Sequence, residues 1–111
     1  MKALALALVL AASAASAAPA PAPDLERGRQ VFQTWCAPCH GAGPGHPGTD
    51  ALRAKYHADK PAVLEERRDL TPDQVRVFVR RGVSVMPFFR KTEISDADLD
   101  ALAAWMGRKK R

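Results

Sequence analysis

The sequence lacks several features that would indicate common classes of protein. It contains no basic stripe interleaved with aromatic residues, which a nucleic-acid-binding surface would usually show, although its formal net charge is +5. After residue 17 it has no apolar run of the roughly 20 residues that a membrane-spanning helix needs. It also shows no alternating strand pattern and no hairpin signal. We therefore expect an all-α protein that binds no nucleic acid and has no membrane span beyond its N-terminal segment.

Residues 1–17 have the layout of a secretory signal peptide. Lys2 precedes an Ala/Leu/Val run from Ala3 to Ala12, small residues follow, and an Ala-x-Ala site predicts cleavage after Ala17. An uncleaved membrane anchor is the alternative, but the apolar part is shorter than the roughly 20 residues that span a bilayer. The sequence therefore predicts an exported protein, in the periplasm if the source is bacterial.

The rest of the chain divides into three parts. Residues 18–23, "APAPAP", form an Ala/Pro linker, residues 24–107 form one small domain, and residues 108–111, "RKKR", form a basic tail. The tail is either a solvated C-terminus that favours the helix dipole or a steering element for an acidic partner. A domain of this size has a thin core unless a disulfide, a metal or a large apolar cofactor supplements it.

Two helices carry clear N-terminal signals. Asp24 is the predicted N-cap of a helix that continues through residue 35, with apolar and small residues at helical spacing. Thr71 and Gln74 form a predicted capping box for a second helix. Gly82 ends that helix.

The last helix is predicted over residues 96–106. Ser95 is its N-cap, Asp98 completes a second capping box, and Gly107 stops it.

The segments between these helices are less regular. The Gly/Pro-rich residues 41–50 predict a loop, with a short helix at about residues 49–56. One or two helical turns are predicted from Pro61, and Pro87 predicts a loop before the last helix.

The only two cysteines lie in "TWCAPCH", residues 34–40, and two chemistries compete for this motif. "WCAPC" matches a thioredoxin-like dithiol, but that fold needs a buried strand before the motif and a helix after it. Here a segment of helical period precedes the motif and a Gly/Pro loop follows it.

Two further alternatives involve the same cysteines. A structural disulfide across so short a loop would constrain the unfolded chain little. A zinc site would need ligands beyond Cys36, Cys39 and His40, for which only His46 and His57 are available as further histidines.

Covalent haem accounts for every residue of the motif. Cys36 and Cys39 would form thioethers with the porphyrin, and His40 would give an imidazole nitrogen to iron. Gly41 would let the backbone pass close to the porphyrin edge, and the haem would fill the thin core. We therefore predict one haem c per chain, bound through the two cysteines.

The candidates for the second axial ligand of the iron are Met86, Met106, His46 and His57. Met86 is preferred because it lies in a loop between two capped helices and precedes Pro87. Met106 lies on the apolar face of the last helix, as a core residue would. A methionine ligand raises the reduction potential relative to a second histidine.

His/Met ligation leaves no residue to act as acid, base or nucleophile at an open iron site. The predicted function is therefore electron transfer by a carrier that is not itself an enzyme. A haem sensor or ligand-binding protein with an open sixth position remains the alternative.

With these residues in place, the chain resembles class I c-type cytochromes of the small bacterial periplasmic type. The resemblance implies a small cytochrome c fold, with three to five helices around one haem and terminal helices that cross at a glycine. It also implies that a proline carbonyl, from Pro44 or Pro47, holds the second nitrogen of His40. The residues that carry the resemblance are Cys36, Cys39, His40, Met86, Pro87, Gly28, Phe32, Leu102 and Trp105.

Residues 78–105 are also similar to the cytochrome subunits that accept electrons from periplasmic flavoprotein dehydrogenases. This resemblance implies redox protein partners, whether a dehydrogenase, an oxidase or a reductase. Both a free monomeric shuttle and a dedicated subunit of a hetero-complex remain open. Partners are expected to meet the haem edge near Cys36 and Cys39.

Overall fold

A computed structural model of the protein describes Pro19 and residues 21–108. The predicted signal peptide, residues 1–17, lies outside the described residues, as do residues 18 and 20 of the linker and residues 109–111 of the tail. The described part contains helices and no β-strand, which confirms the all-α prediction. Its elements are α1 (Leu25–Trp35), α2 (Ala37–His40), α3 (Pro47–Tyr56), a 3-10 turn (Leu64–Glu66), α4 (Pro72–Arg81) and α5 (Asp96–Gly107).

The predicted N-caps of α1 and α4 are confirmed. The Asp24 carboxylate accepts a hydrogen bond from the backbone N–H of Arg27 at 2.8 Å. At α4 both bonds of the capping box are present: Thr71 Oγ1 accepts from Gln74 N at 3.2 Å, and Gln74 Oε1 accepts from Thr71 N at 2.9 Å. These bonds satisfy amide groups that have no partner inside their helices.

Only one of the two hydrogen bonds of the second predicted capping box forms. Ser95 Oγ accepts from the backbone N–H of Asp98 at 3.1 Å, as expected. The Asp98 carboxylate, however, accepts two hydrogen bonds from the guanidinium of Arg27, at 2.6 and 2.8 Å. A charged, bidentate partner is a stronger competitor than a backbone amide. The side chain therefore joins α5 to α1 instead of closing the box.

The predicted boundaries also need correction around the cysteine motif and at the C-terminus. The motif itself contains the short helix α2, and α3 begins at Pro47, so the loop spans residues 41–46 only. Proline suits a first helical position because its missing N–H is not needed there. Gly107 belongs to α5, and its backbone packs so closely on Pro72 that a Cβ would lie 2.7 Å from the proline Cδ.

Helices α1 and α5 cross at Gly28, as the resemblance implied. A Cβ at this position would lie 2.2 Å from the carbonyl oxygen of Ala101 and 2.6 Å from the Cβ of Trp105. The rings of Phe32 and Trp105 pack beside the crossing, with centroids 5.0 Å apart. Helix α5 also packs against α4, so α1, α4 and α5 share one core. None of the described helices has the length and apolar character that crossing a membrane would require.

Gly28→Ala is expected to lower the free energy of unfolding by roughly 1–3 kcal/mol, because the added methyl forces two backbones apart. Urea denaturation followed by circular dichroism measures this change. Gln33→Ala, at an exposed position of the same helix, is the matched control and should stay within about 0.5 kcal/mol of wild type. Equal stability of the two variants would contradict the close crossing.

Candidate functional site

One cavity of about 280 Å3 lies between the core helices and α3. Its walls are mostly apolar and come from α1, α3, α4, α5 and the 3-10 turn. Such a concave, largely apolar site with a few polar groups is typical of a bound cofactor. Apolar residues on its walls are Phe32, Leu52, Leu64, Leu70, Val75, Phe78, Val79, Val83, Leu102 and Met106.

Three of the four predicted site residues line this cavity. Cys36, His40 and Met86 come from the end of α1, the end of α2 and the loop after α4, and the fold brings them together. Cys39 is exposed and is not among the lining residues. Burial raises the pKa of the Cys36 thiol to about 12, whereas a reactive dithiol needs a lowered pKa.

His40 has the chemistry of a metal ligand. Burial lowers the pKa of its imidazole, so the ring is neutral near pH 7, as coordination requires. Its Nδ1 atom is buried and has no hydrogen-bond partner among the described residues. The Cβ of an alanine at Gly48 would lie 2.8 Å from this nitrogen. Because the Gly48 backbone crowds Nδ1, we expect Nε2 to be the nitrogen that binds a metal ion.

The expected proline carbonyl partner of His40 is absent. Neither Pro44 nor Pro47 accepts a bond from Nδ1. Pro47 is the first residue of α3, and carbonyls of a first helical turn point along the axis to amides of their own helix. The backbone of Gly48 instead lies so close to the ring that a side chain at this position would collide with it.

The loop after α2 is fixed by two other contacts. His46 Nδ1 donates to the carbonyl oxygen of Pro38 at 3.1 Å, since a carbonyl only accepts. Thr49 Oγ1 donates to the carbonyl oxygen of Gly41 at 2.8 Å and is fully buried. These bonds fold the loop back onto α2 and so position His40. They also explain why His46 does not line the cavity.

Of the candidates for the second axial position, two methionines line the cavity and two histidines do not. Met86 lies in a tight turn, where its backbone N–H donates to Val83 O at 3.0 Å and its carbonyl accepts from Val83 N at 3.2 Å. Met106 is 4% exposed and belongs to the core cluster. His57 is exposed at the end of α3.

The cavity has one polar, positively charged end. The Tyr56 ring lies 5.5 Å from Lys60 Nζ and 5.1 Å from the Arg67 guanidinium carbon. Arg67 is 5% exposed and donates to Asp69 at 2.6 Å, and Lys60 donates to Asp69 at 2.8 Å. Arg67 and Lys60 hold the pKa of the Asp69 carboxyl well below its usual range. With Lys55 also lining the cavity, cations outnumber carboxylates by three to one at this end.

These features fit an iron porphyrin. The apolar walls suit the macrocycle, His40 and a methionine supply nitrogen and sulfur donors, and the cationic end suits the two carboxylates of haem. A zinc site is not supported, because residues 21–108 contain no group of three His, Cys, Asp or Glu placed to hold a metal ion.

Sequence reasoning missed Gly48 and the polar end of the cavity. The Gly/Pro-rich composition of residues 41–50 suggested only a loop and gave no reason to single out Gly48. Tyr56, Lys60 and Arg67 are separated along the chain and converge only in the fold. No local motif marks them.

Comparison with known proteins identifies the family. A search of curated proteins returned no match. A family profile described as "Cytochrome C oxidase, cbb3-type, subunit III" matches residues 23–106, most of the chain. This match agrees with the all-α fold, the cysteine motif and the cavity, and it supports haem-based electron transfer. The chain therefore belongs to this family of c-type cytochrome domains.

Proposed function

We propose that this protein is a periplasmic monohaem cytochrome c that carries single electrons between redox proteins. One haem c would be attached through Cys36 and Cys39, with its iron held by His40 and Met86. When bound, the haem supplies a one-electron iron couple. The observation that carries the proposal is the convergence of Cys36, His40 and Met86 on one apolar cavity.

The protein's own residues would bind and orient the cofactor in distinct ways. The hydrogen bonds of His46 and Thr49 fix the loop next to His40, and the close approach of Gly48 leaves the imidazole ring little room to move. The apolar walls exclude water, which favours the less charged state of a redox centre. The end with Lys60 and Arg67 would receive the haem carboxylates and balance their charge.

The partners would be larger redox enzymes. The matched family is described as a subunit of an oxidase, and residues 78–105 resemble cytochrome subunits of dehydrogenases. Both relationships are consistent with a small carrier that exchanges electrons with an enzyme and is not catalytic itself.

Purification of the mature protein from the periplasm of a host that matures c-type cytochromes tests the proposal. The polypeptide should begin at Ala18, show the mass of one covalent haem and cycle reversibly between oxidised and reduced spectra. The reduced form should not bind carbon monoxide, because both axial positions are filled. A colourless but stably folded protein would refute the proposal, and carbon monoxide binding would favour the sensor alternative.

A further inference from the structure

Residues 86–89, which we call the Met86 segment, lie closely against the end of α4. Gly82 follows that helix with a φ of 68°, a backbone conformation that favours glycine. A Cβ at this position would lie 2.6 Å from the carbonyl oxygen of Met86 and 3.0 Å from the backbone nitrogen of Phe88. The chain therefore returns to α4 directly after Met86 and packs backbone against backbone.

Phe89 fastens the Met86 segment to α4 through both of its backbone polar groups. Its N–H donates to the carbonyl oxygen of Val79 at 2.8 Å, and its carbonyl oxygen accepts from the guanidinium of Arg80 at 3.1 Å. Only two residues separate Phe89 from Met86, and one of them is a proline, whose φ is fixed by its ring. The position of Met86 therefore depends on the bonds that Phe89 makes.

Arg80 joins the Met86 segment to a further element of the fold. Its guanidinium also donates to the Asp96 carboxylate at 2.8 Å, and Asp96 is the first residue of α5. Lys91 donates to the other oxygen of the same carboxylate at 2.7 Å. The Arg80 side chain is only 23% exposed, so water screens its bonds less than those of a fully exposed pair. One guanidinium thus connects α4, the Met86 segment and α5.

We propose that Arg80 is a positioning residue for the Met86 ligand, which holds the Met86 segment in place and so keeps the second axial position closed to other ligands. This inference rests on the proposed function, because it assumes that Met86 binds the haem iron. Without Arg80, the Phe89 carbonyl and the Asp96 carboxylate would each lose a charged donor. The segment would then separate from α4 more often, and each separation would let an external ligand replace the methionine.

A second arginine of α4 distinguishes this role from a purely structural one. Arg76 donates to the Asp100 carboxylate at 2.9 Å, so in the described part of the chain both Arg76 and Arg80 form ion pairs that join α4 to α5. The other bond of Arg76 goes to Asp73, within α4. Loss of either arginine removes an ion pair between two helices, whereas only loss of Arg80 frees the Met86 segment.

Binding of imidazole to the ferric holoprotein tests the proposal, because imidazole must displace the methionine from iron. Titration followed by haem absorbance gives the apparent affinity. We expect Arg80→Met to raise this affinity roughly tenfold, as loss of a charge-assisted hydrogen bond predicts. Arg76→Met is the matched control and should stay within about twofold of wild type. Arg80→Lys keeps one charged donor and should restore part of the wild-type resistance to imidazole.

The acidic partners of the two arginines supply a second matched pair, which replaces the first if Arg80→Met gives no folded holoprotein. Asp96→Asn weakens the hold on Arg80 but leaves its guanidinium in place, so the affinity for imidazole should rise roughly threefold. Asp100→Asn weakens the other ion pair between α4 and α5 and should leave the affinity near that of wild type.

Equal affinities for imidazole in the two members of the pair would overturn the proposal, because the effect would then belong to helix packing in general. Failure of the proposed function gives a different result. In that case the wild-type holoprotein would bind imidazole as tightly as Met86→Ala does, which would show that Met86 does not occupy the second axial position.

Discussion

Replacing both cysteines, Cys36→Ser together with Cys39→Ser, is expected to give an exported chain without covalent haem and without a stable fold. The described helices surround a cavity of about 280 Å3. Ten apolar residues line this cavity, which is open to solvent, so without the cofactor water would contact them. Exposing one large apolar side chain fully costs about 1.5–3 kcal/mol, and uncovering several of them in part therefore costs several kcal/mol. The whole stability of a small domain is about 5–15 kcal/mol. Loss of the cofactor therefore removes most or all of the folding free energy.

The haem absorbance, mass and helical circular dichroism of the purified variants measure this effect. Cys39→Ser alone is the control, because Cys36, which lines the cavity, would still form one thioether. We expect the single variant to be coloured, helical and less stable than wild type. A double variant as helical and stable as wild type, with no tetrapyrrole bound, would show that the core does not depend on the cofactor.

Sequence reasoning was most successful where the structure depends on neighbouring residues. The caps at Asp24 and Thr71 were predicted because both partners of each bond lie within three residues. The same reasoning failed at Asp98, because the competing partner Arg27 is 71 positions away. A capping motif specifies a possible bond, and the tertiary partner decides whether it forms.

In the candidate site, too, the features set by neighbouring residues were predicted and those set by tertiary contacts were not. The motif of Cys36, Cys39 and His40 could be read directly because its chemistry depends on fixed spacing. The Gly48 contact on His40 could not be predicted, because it depends on α3 beginning at Pro47 and on the loop folding back over α2. Arg67 was missed for a similar reason, since its position over the Tyr56 ring and at the cavity wall arises only when the chain folds.

The choice between Met86 and Met106 depends on what each side chain does apart from lining the cavity. Met106 is 4% exposed and packs in the core, so packing alone explains why an apolar side chain occupies this position. Met86 is absent from that core cluster and is held by the turn with Val83. A side chain fixed by its backbone and directed at the cavity suits a ligand better than a core position does.

Met86→Ala is therefore expected to leave the haem attached and to lower the midpoint potential by on the order of 0.2 V, within the roughly 0.8 V that axial ligands span. Losing a soft sulfur donor removes stabilisation of the ferrous state, and the weak long-wavelength ferric band given by methionine ligation in this family should disappear.

Met106→Leu is the matched control, because it removes the other cavity sulfur while nearly conserving volume. It should cost less than about 1.5 kcal/mol of stability and leave the potential almost unchanged. Redox titration of both variants decides the assignment: a fall in potential for Met106→Leu alone would transfer the ligand role to α5, and no fall in either would exclude both sulfurs.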